Sequence, residues 1–133
     1  MLIRKISILV LLAAAISVSA CGGRHILSYN DVPINIENSS ENKIKKAILL
    51  AGARRGWNMK SKKDGLIIAT YRRGKIMAKL KVNYSKESYS INYLDSENLK
   101  YNGETIHRRY NGYVKRLKKT IDKELLVLMV DEK

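Results

Sequence analysis

The 133-residue chain carries 26 Lys and Arg against 12 Asp and Glu, a formal net charge of +14. This surplus favours anionic partners such as lipid head groups, acidic polymers or nucleic acid, although a lysine-rich surface that only keeps a protein soluble has the same composition. The single cysteine excludes a disulfide within the chain, and the length allows one ordinary domain rather than two.

The first 20 residues have the pattern of a secretory leader. Arg4 and Lys5 provide a basic start, residues 6–18 form an almost unbroken apolar run, and small residues follow. These are the three regions of a signal peptide, and the apolar run is shorter than the ~20 residues of a membrane-spanning helix. We therefore predict that residues 1–20 are a signal peptide.

The only cysteine comes directly after this leader, in the sequence Val18-Ser19-Ala20-Cys21. The tetrapeptide resembles the lipobox of bacterial lipoproteins, in which the thiol receives a diacylglyceryl group and the leader is cut before the cysteine. The resemblance implies that Cys21 is a lipidation site and that fatty acyl chains, such as palmitate, anchor the protein in a membrane. A secreted protein with an incidental cysteine and a membrane-anchor helix with a buried cysteine are the alternatives.

The residues after Cys21 predict a location and a domain organisation. A glycine rather than an aspartate follows the cysteine, which by analogy with the class favours the outer membrane, facing the periplasm. We predict residues 21–30 as a lipidated tether and residues 31–130 as a single domain. Without the leader the chain has 24 basic and 12 acidic residues, a balance of +12. In the envelope, lipid head groups, lipopolysaccharide or cell-wall polymers fit this charge, and nucleic acid is not expected.

The predicted domain begins with an edge strand and a helix. Apolar and polar residues alternate over residues 31–37, and Pro33 restricts this strand to a sheet edge. Residues 38–41, NSSE, contain three N-cap candidates and resemble a capping box. A helix is predicted over residues 40–55, and Gly56 suits its left-handed C-terminal position. Its apolar stripe consists of Ile44, Ala47, Ile48 and Ala51.

Strands and a second helix follow. Alternation predicts strands near residues 57–60, 66–71, 76–84 and 89–93, with a short further strand at 99–101. In the clearest of them Met77, Lys79, Lys81 and Asn83 form the wet face. A helix over residues 104–129 has apolar residues on one face. We predict an α+β fold, in strand–helix–strands–helix order, with an antiparallel sheet of three to five strands and both helices packed on one face.

The sequence contains no combination of residues that predicts catalysis. There is no second cysteine, the two histidines lack a neighbour at metal-ligand spacing, and the glycines form no phosphate-binding loop. We therefore predict a non-enzymatic protein without a cofactor or a metal site. A cell-wall hydrolase that uses His107 with Asp95 or Glu97 is the enzymatic alternative.

Two sets of residues are candidates for binding. The predicted polar side of the last helix is basic and would suit an anionic partner, although a solvated helix surface has the same pattern. Tyrosines with His107 and Asn111 would suit a groove for a sugar or a peptide, although such a set is more often core. The basic set is Arg108, Arg109, Lys115, Arg116, Lys119 and Lys123, and the groove set is Tyr89, Tyr93, His107, Tyr110 and Asn111.

Residues 82–117 read VNYSKESYSINYLDSENLKYNGETIHRRYNGYVKRL. This segment resembles a family of small bacterial envelope lipoproteins with the pattern Y-S-x-x-S-Y-S-I-x-Y-x-D-S-x-N-L-x-Y followed by I-H-x-x-Y-N-x-W-V. The match covers about residues 40–120 together with the lipobox, and Tyr113 stands where the pattern has tryptophan. The resemblance implies an envelope location and a common fold, and it implies no reaction.

Overall fold

A computed structural model of the chain describes residues 23–131. The predicted signal peptide and Cys21 lie outside these residues. The elements in chain order are β1 (Gly23–His25), β2 (Tyr29–Pro33), α1 (Glu41–Arg54), β3 (Asn58–Lys63), β4 (Leu66–Arg73), β5 (Ile76–Tyr84), β6 (Ser88–Glu97), β7 (Thr105–His107) and α2 (Arg108–Asp131). The described part is therefore α+β, as predicted.

The strands form two antiparallel sheets. The larger sheet has the order β2-β6-β5-β4-β3, and β1 pairs only with β7. Tight turns connect β3 to β4 and β4 to β5, and Gly65 and Gly74 occupy them with φ of +80° and +58°. Because a residue with a Cβ rarely adopts such φ values, these glycines fix the two hairpins.

One face of the larger sheet supplies the core. Ile67 of β4 lies opposite Val82 of β5, which in turn lies opposite Ile91 of β6, and all three are fully buried. Side chains at alternate positions of a strand share a face, so this row defines the inner face. The inner face belongs to one hydrophobic cluster with the buried residues of α1 and α2.

The helix α1 matches its predicted apolar stripe and its predicted start near Ser40, although Ser40 rather than Asn38 caps it. The hydroxyl of Ser40 accepts a hydrogen bond from the amide of Lys43 at 3.1 Å, so Ser40 is the N-cap. Asn38 instead adopts a φ of +57° in the preceding turn. Gly52 also lies on the buried side of α1. It is so close to β3 that an added Cβ would lie 2.2 Å from the sulfur of Met59.

The helix α2 starts later than predicted. Residues 105–107 form β7 rather than the first helical turn. The side chain of Asn102 accepts hydrogen bonds from the amides of Glu104 and Thr105, and the amide of His107 donates to the carbonyl of Leu99 at 2.7 Å. These bonds satisfy the backbone in a strand geometry, so the apolar periodicity of the later helix does not extend into this segment.

The structure corrects the predicted tether. Residues 23–25 pair with β7, and residues 29–33 pair with β6 along the sheet edge, where Pro33 is tolerated. The segment between β1 and β2 is bound to α2 by Asn111. Its side chain accepts a hydrogen bond from the amide of Leu27 at 3.0 Å and donates one to the carbonyl of His25 at 2.9 Å. Residues 23–30 are therefore held on the domain.

Candidate functional site

The helix α2 buries one side and exposes a basic side. Its buried residues run from Tyr110 to Leu125. All six of the basic residues predicted for an anionic partner are exposed. With 100° per residue they fall within an arc of about 120°, spread over about 22 Å of helix. The structure thus brings the predicted basic set together as one surface, which we call the basic stripe: Arg108, Arg109, Lys115, Arg116, Lys119 and Lys123.

The charges of the basic stripe are not neutralised within the described residues. The ion pairs of residues 23–131 involve other cations, including Lys118, whose ammonium lies 2.6 Å from the carboxylate of Asp122. Of the stripe, Arg116 lies over the ring of Tyr113, with 5.5 Å from the guanidinium carbon to the ring centroid. The stripe is therefore free to attract external anions.

The last turns of α2 expose apolar residues, which the sequence reasoning did not single out. Four side chains here are 44–65% exposed, and Leu50 of α1 is 45% exposed. The sequence signal was present as an uninterrupted apolar run over residues 125–130, in which no helix side can be polar. We call these four side chains the apolar tip: Leu126, Val127, Met129 and Val130.

The opposite end of α2 lies beside the start of the described chain. Gly23 of β1 is the register partner of His107, the residue before α2. The ring nitrogen Nδ1 of His107 accepts a hydrogen bond from the amide of Arg109 at 3.2 Å, as an N-cap side chain does. Cys21 precedes Gly23 by only two residues.

The predicted groove is filled by its own side chains. Tyr89 and Tyr110 are 1% and 0% exposed, so both belong to the core. The hydroxyl of Tyr89 donates a hydrogen bond to the carboxylate of Asp122 in α2. Burial and this hydrogen bond raise the pKa of Tyr89, and burial raises the pKa of Tyr110. The hydroxyl of Tyr110 has no hydrogen-bond partner within the described residues.

The other three groove candidates make contacts within the domain that stabilise the fold. The ring of Tyr93 lies 4.1 Å from that of Tyr101, between centroids, and its hydroxyl lies 2.8 Å from the hydroxyl of Ser96. His107 caps α2, and Asn111 holds the segment after β1. The groove is therefore a wrong prediction, because large aromatic side chains between α2 and the sheet pack against each other.

The residues of the hydrolase alternative are engaged elsewhere. Glu97 lies 3.7 Å from Arg72 in an ion pair, and the carboxylate of Asp95 accepts a hydrogen bond from the amide of Ser96. His107 faces the backbone of Arg109. Within residues 23–131, no group of three His, Cys, Asp or Glu side chains could hold a metal ion.

The outer face of the larger sheet carries a second set of cations. Lys60, Lys79 and Lys81 project from this face, and Lys60 and Lys79 line a shallow cavity of about 610 Å³ beside Ile68. Met77 shares the face but is 2% exposed, which corrects its predicted wet position. Its register partners in the two flanking strands, Arg72 and Glu97, form an ion pair and so cover it.

Comparison with known proteins gives no match to a family model, to a curated protein or to a solved structure. Neither helix between Gly23 and Asp131 combines the length and the apolar character that crossing a membrane requires.

Proposed function

We propose that the chain is an envelope lipoprotein, in which acylated Cys21 holds a basic, non-enzymatic domain at the membrane surface. The leader and the VSAC sequence support the acylation, and the resemblance to small envelope lipoproteins supports the location, for which we propose the periplasmic side of the outer membrane. The observation that carries the proposal is the pairing of Gly23 with His107. Two residues span at most ~7 Å, so the domain sits directly on the bilayer of its own anchor.

We further propose that both helices pack on the inner face of the larger sheet. The ring of Tyr113 in α2 lies 4.7 Å from that of Tyr71 in β4, between centroids. Gly52 of α1 lies against Met59, whose register partner is Ala69 of β4. Tyr71 and Ala69 are two residues apart in the same strand and therefore share a face. This packing leaves the outer face of the sheet to solvent.

A second function rests on the basic stripe. We propose that the domain is a binding module for an anionic envelope component, because six exposed cations of one helix surface lack an internal ionic partner among the described residues. Exposed cations on one surface add their potentials and attract polyanions, and salt weakens this attraction.

The anchor is tested with the full chain expressed in a bacterium that is fed an alkyne fatty acid. The wild-type protein is expected to take up the label, to lack residues 1–20 by mass spectrometry, and to stay in the membrane fraction at high salt. Cys21→Ser is expected to lose the label.

A matched control moves the thiol instead of removing it. The double variant Cys21→Ser/Ser28→Cys places a cysteine on an exposed residue seven positions later and is expected to remain unlabelled. An unlabelled wild-type protein, or a label that persists in Cys21→Ser, would contradict the anchor.

A further inference from the structure

We propose that α2 lies lengthwise on an anionic bilayer, with the basic stripe against the lipid phosphates and the apolar tip inserted below them. This deepens the proposed binding module by naming its partner, and the bilayer of the Cys21 anchor is the natural one. Three observations carry it: the concentration of exposed apolar residues, their alignment with the cations, and the position of the anchor.

Exposed apolar side chains are concentrated at one place. Among residues 23–131, seven large hydrophobic residues are exposed, and four of them form the apolar tip at the end of α2. The other three are Leu50, Leu94 and Tyr101. Scattered apolar residues are ordinary on a protein surface, whereas a contiguous set marks a contact with another molecule or a membrane.

The apolar tip continues the basic stripe along the same side of α2. Leu126 follows Lys115 by eleven residues and Val130 follows Lys119 by eleven, which is three turns and about 20°. Both residues are more than half exposed, at 57% and 65%. One helix surface is therefore cationic over four turns and apolar at its end.

The acidic residues of α2 stay off this surface. Glu124 and Asp131 fall outside the arc of the basic stripe, and Glu124 lies 3.1 Å from Arg54 of α1 in an ion pair. Asp122 borders the arc and is engaged by Lys118 and Tyr89. A helix surface of cations and apolar side chains without acids suits the interface of an anionic bilayer.

The apolar tip also decides between kinds of anionic partner. A soluble acidic polymer offers charges and hydroxyl groups, and it offers no apolar region in which the half-exposed Leu, Val and Met side chains could be buried. A bilayer offers phosphates at its surface and hydrocarbon a few ångströms below them.

The position of the anchor fits the same arrangement. The 24 residues of α2 span about 36 Å. Gly23, which Cys21 precedes by two residues in the sequence, pairs with the residue before α2, and the apolar tip lies at the last turn. Attachment at both ends holds the helix parallel to the bilayer, so that the basic stripe between them meets the head groups.

The test uses residues 22–133 without acylation, since these residues include the hydrophobic cluster found in the described part of the chain. The probes are phosphatidylcholine vesicles with and without one-third phosphatidylglycerol. The wild-type protein is expected to sediment with the anionic vesicles only. Lys115→Glu/Lys119→Glu and, separately, Leu126→Ser/Val130→Ser are each expected to weaken this binding at least about tenfold.

The matched controls lie on the outer face of the sheet. Lys60→Glu/Lys81→Glu makes the same change in net charge, and Leu94→Ser removes an apolar residue that is 44% exposed. Both are expected to keep more than half of the wild-type binding. All exchanged residues are exposed, and circular dichroism confirms that each variant is folded.

Four results would overturn the proposal. The first three are a wild-type protein that does not bind anionic vesicles, unchanged binding by Leu126→Ser/Val130→Ser, and equal losses of vesicle binding in the sheet-face controls. The fourth is a wild-type dimer that dissociates in the Leu126→Ser/Val130→Ser variant. The last result would assign the apolar tip to a second copy of the chain. Because the assay needs no acyl group, its failure is distinguishable from the loss of fatty acid label that would refute the anchor.

Discussion

The hydroxyl of Tyr110 is fully buried and has no hydrogen-bond partner among the described residues. Its ring packs 5.6 Å from that of Tyr93, between centroids, so the aromatic surface contributes to the core while the hydroxyl is a cost. A buried polar group without a partner costs roughly 1–3 kcal/mol. We therefore expect Tyr110→Phe to raise the free energy of unfolding by about 1 kcal/mol, as measured by urea unfolding.

Tyr89 provides the matched comparison. It is equally buried, but its hydroxyl donates a hydrogen bond to Asp122. Tyr89→Phe removes this bond and is expected to lower the free energy of unfolding by about 1–2 kcal/mol. If Tyr110→Phe proved as destabilising as Tyr89→Phe, the hydroxyl of Tyr110 would have a partner that its surroundings do not reveal.

At the scale of the elements, two helical glycines have opposite surroundings. Gly112 of α2 is a partly exposed residue, and a Cβ added there would come no closer than 3.8 Å to Arg116. Gly52 of α1 is buried, and a Cβ there would lie 2.2–2.5 Å from three atoms of Met59. The same substitution should therefore have opposite effects.

We expect Gly112→Ala to raise the free energy of unfolding by about 0.5–1 kcal/mol, because alanine has the higher helix propensity. Gly52→Ala is expected to lower it by about 1–3 kcal/mol, because Met59 must leave its position. Thermal unfolding of both variants tests this, and the double variant Gly52→Ala/Met59→Ala should relieve the clash at the cost of the lost methionine contacts. Similar stability of the two single variants would contradict the described contact between α1 and β3.

The elements that the sequence predicted correctly are those with strong local patterns. The apolar stripe of α1 is periodic over the whole helix, and the alternation of β5 holds except at the buried Met77. Asp64-Gly65 marks the hairpin between β3 and β4. The short strands β1 and β7 escaped prediction, because each has three residues and is defined by a partner far away in the chain. The start of α2 was misplaced for the same reason.

The candidate site was predictable in part. The basic stripe follows from helical periodicity alone, so its residues were found together. The groove was wrong, because the sequence does not tell whether neighbouring tyrosines line a cleft or fill it. The cations of the outer sheet face are divided between β3 and β5, and only the register of both strands with β4 brings Lys60 and Lys81 level with Ile68.

At the scale of the whole molecule, the buried tyrosines couple stability to alkaline pH. Burial raises the pKa of Tyr89, Tyr93 and Tyr110 above the ordinary tyrosine value, which is about 10. Above pH 10 the unfolded chain loses these phenolic protons while the folded protein keeps them. The free energy of unfolding should therefore be fully retained below about pH 10 and fall as the pH rises further, by up to about 1.4 kcal/mol per pH unit for each fully buried tyrosine.

Urea unfolding between pH 8 and pH 11.5 measures this dependence. The double variant Tyr89→Phe/Tyr110→Phe keeps every lysine and is expected to lose stability less steeply above pH 10. Parallel slopes for the variant and the wild-type protein would show that other groups, such as the lysines, govern the alkaline transition.

The pairing of β1 with β7 has a consequence for biogenesis. The strand β1, which follows Cys21, pairs with residues about 80 positions later in the chain. This pairing therefore forms only after β7, in the C-terminal half of the chain, has been made. Under the proposed anchoring, the modifying enzymes at the export channel would thus reach the thiol of the translocating chain before β1 has paired with β7. Maturation would then precede closure of the N-terminal strand.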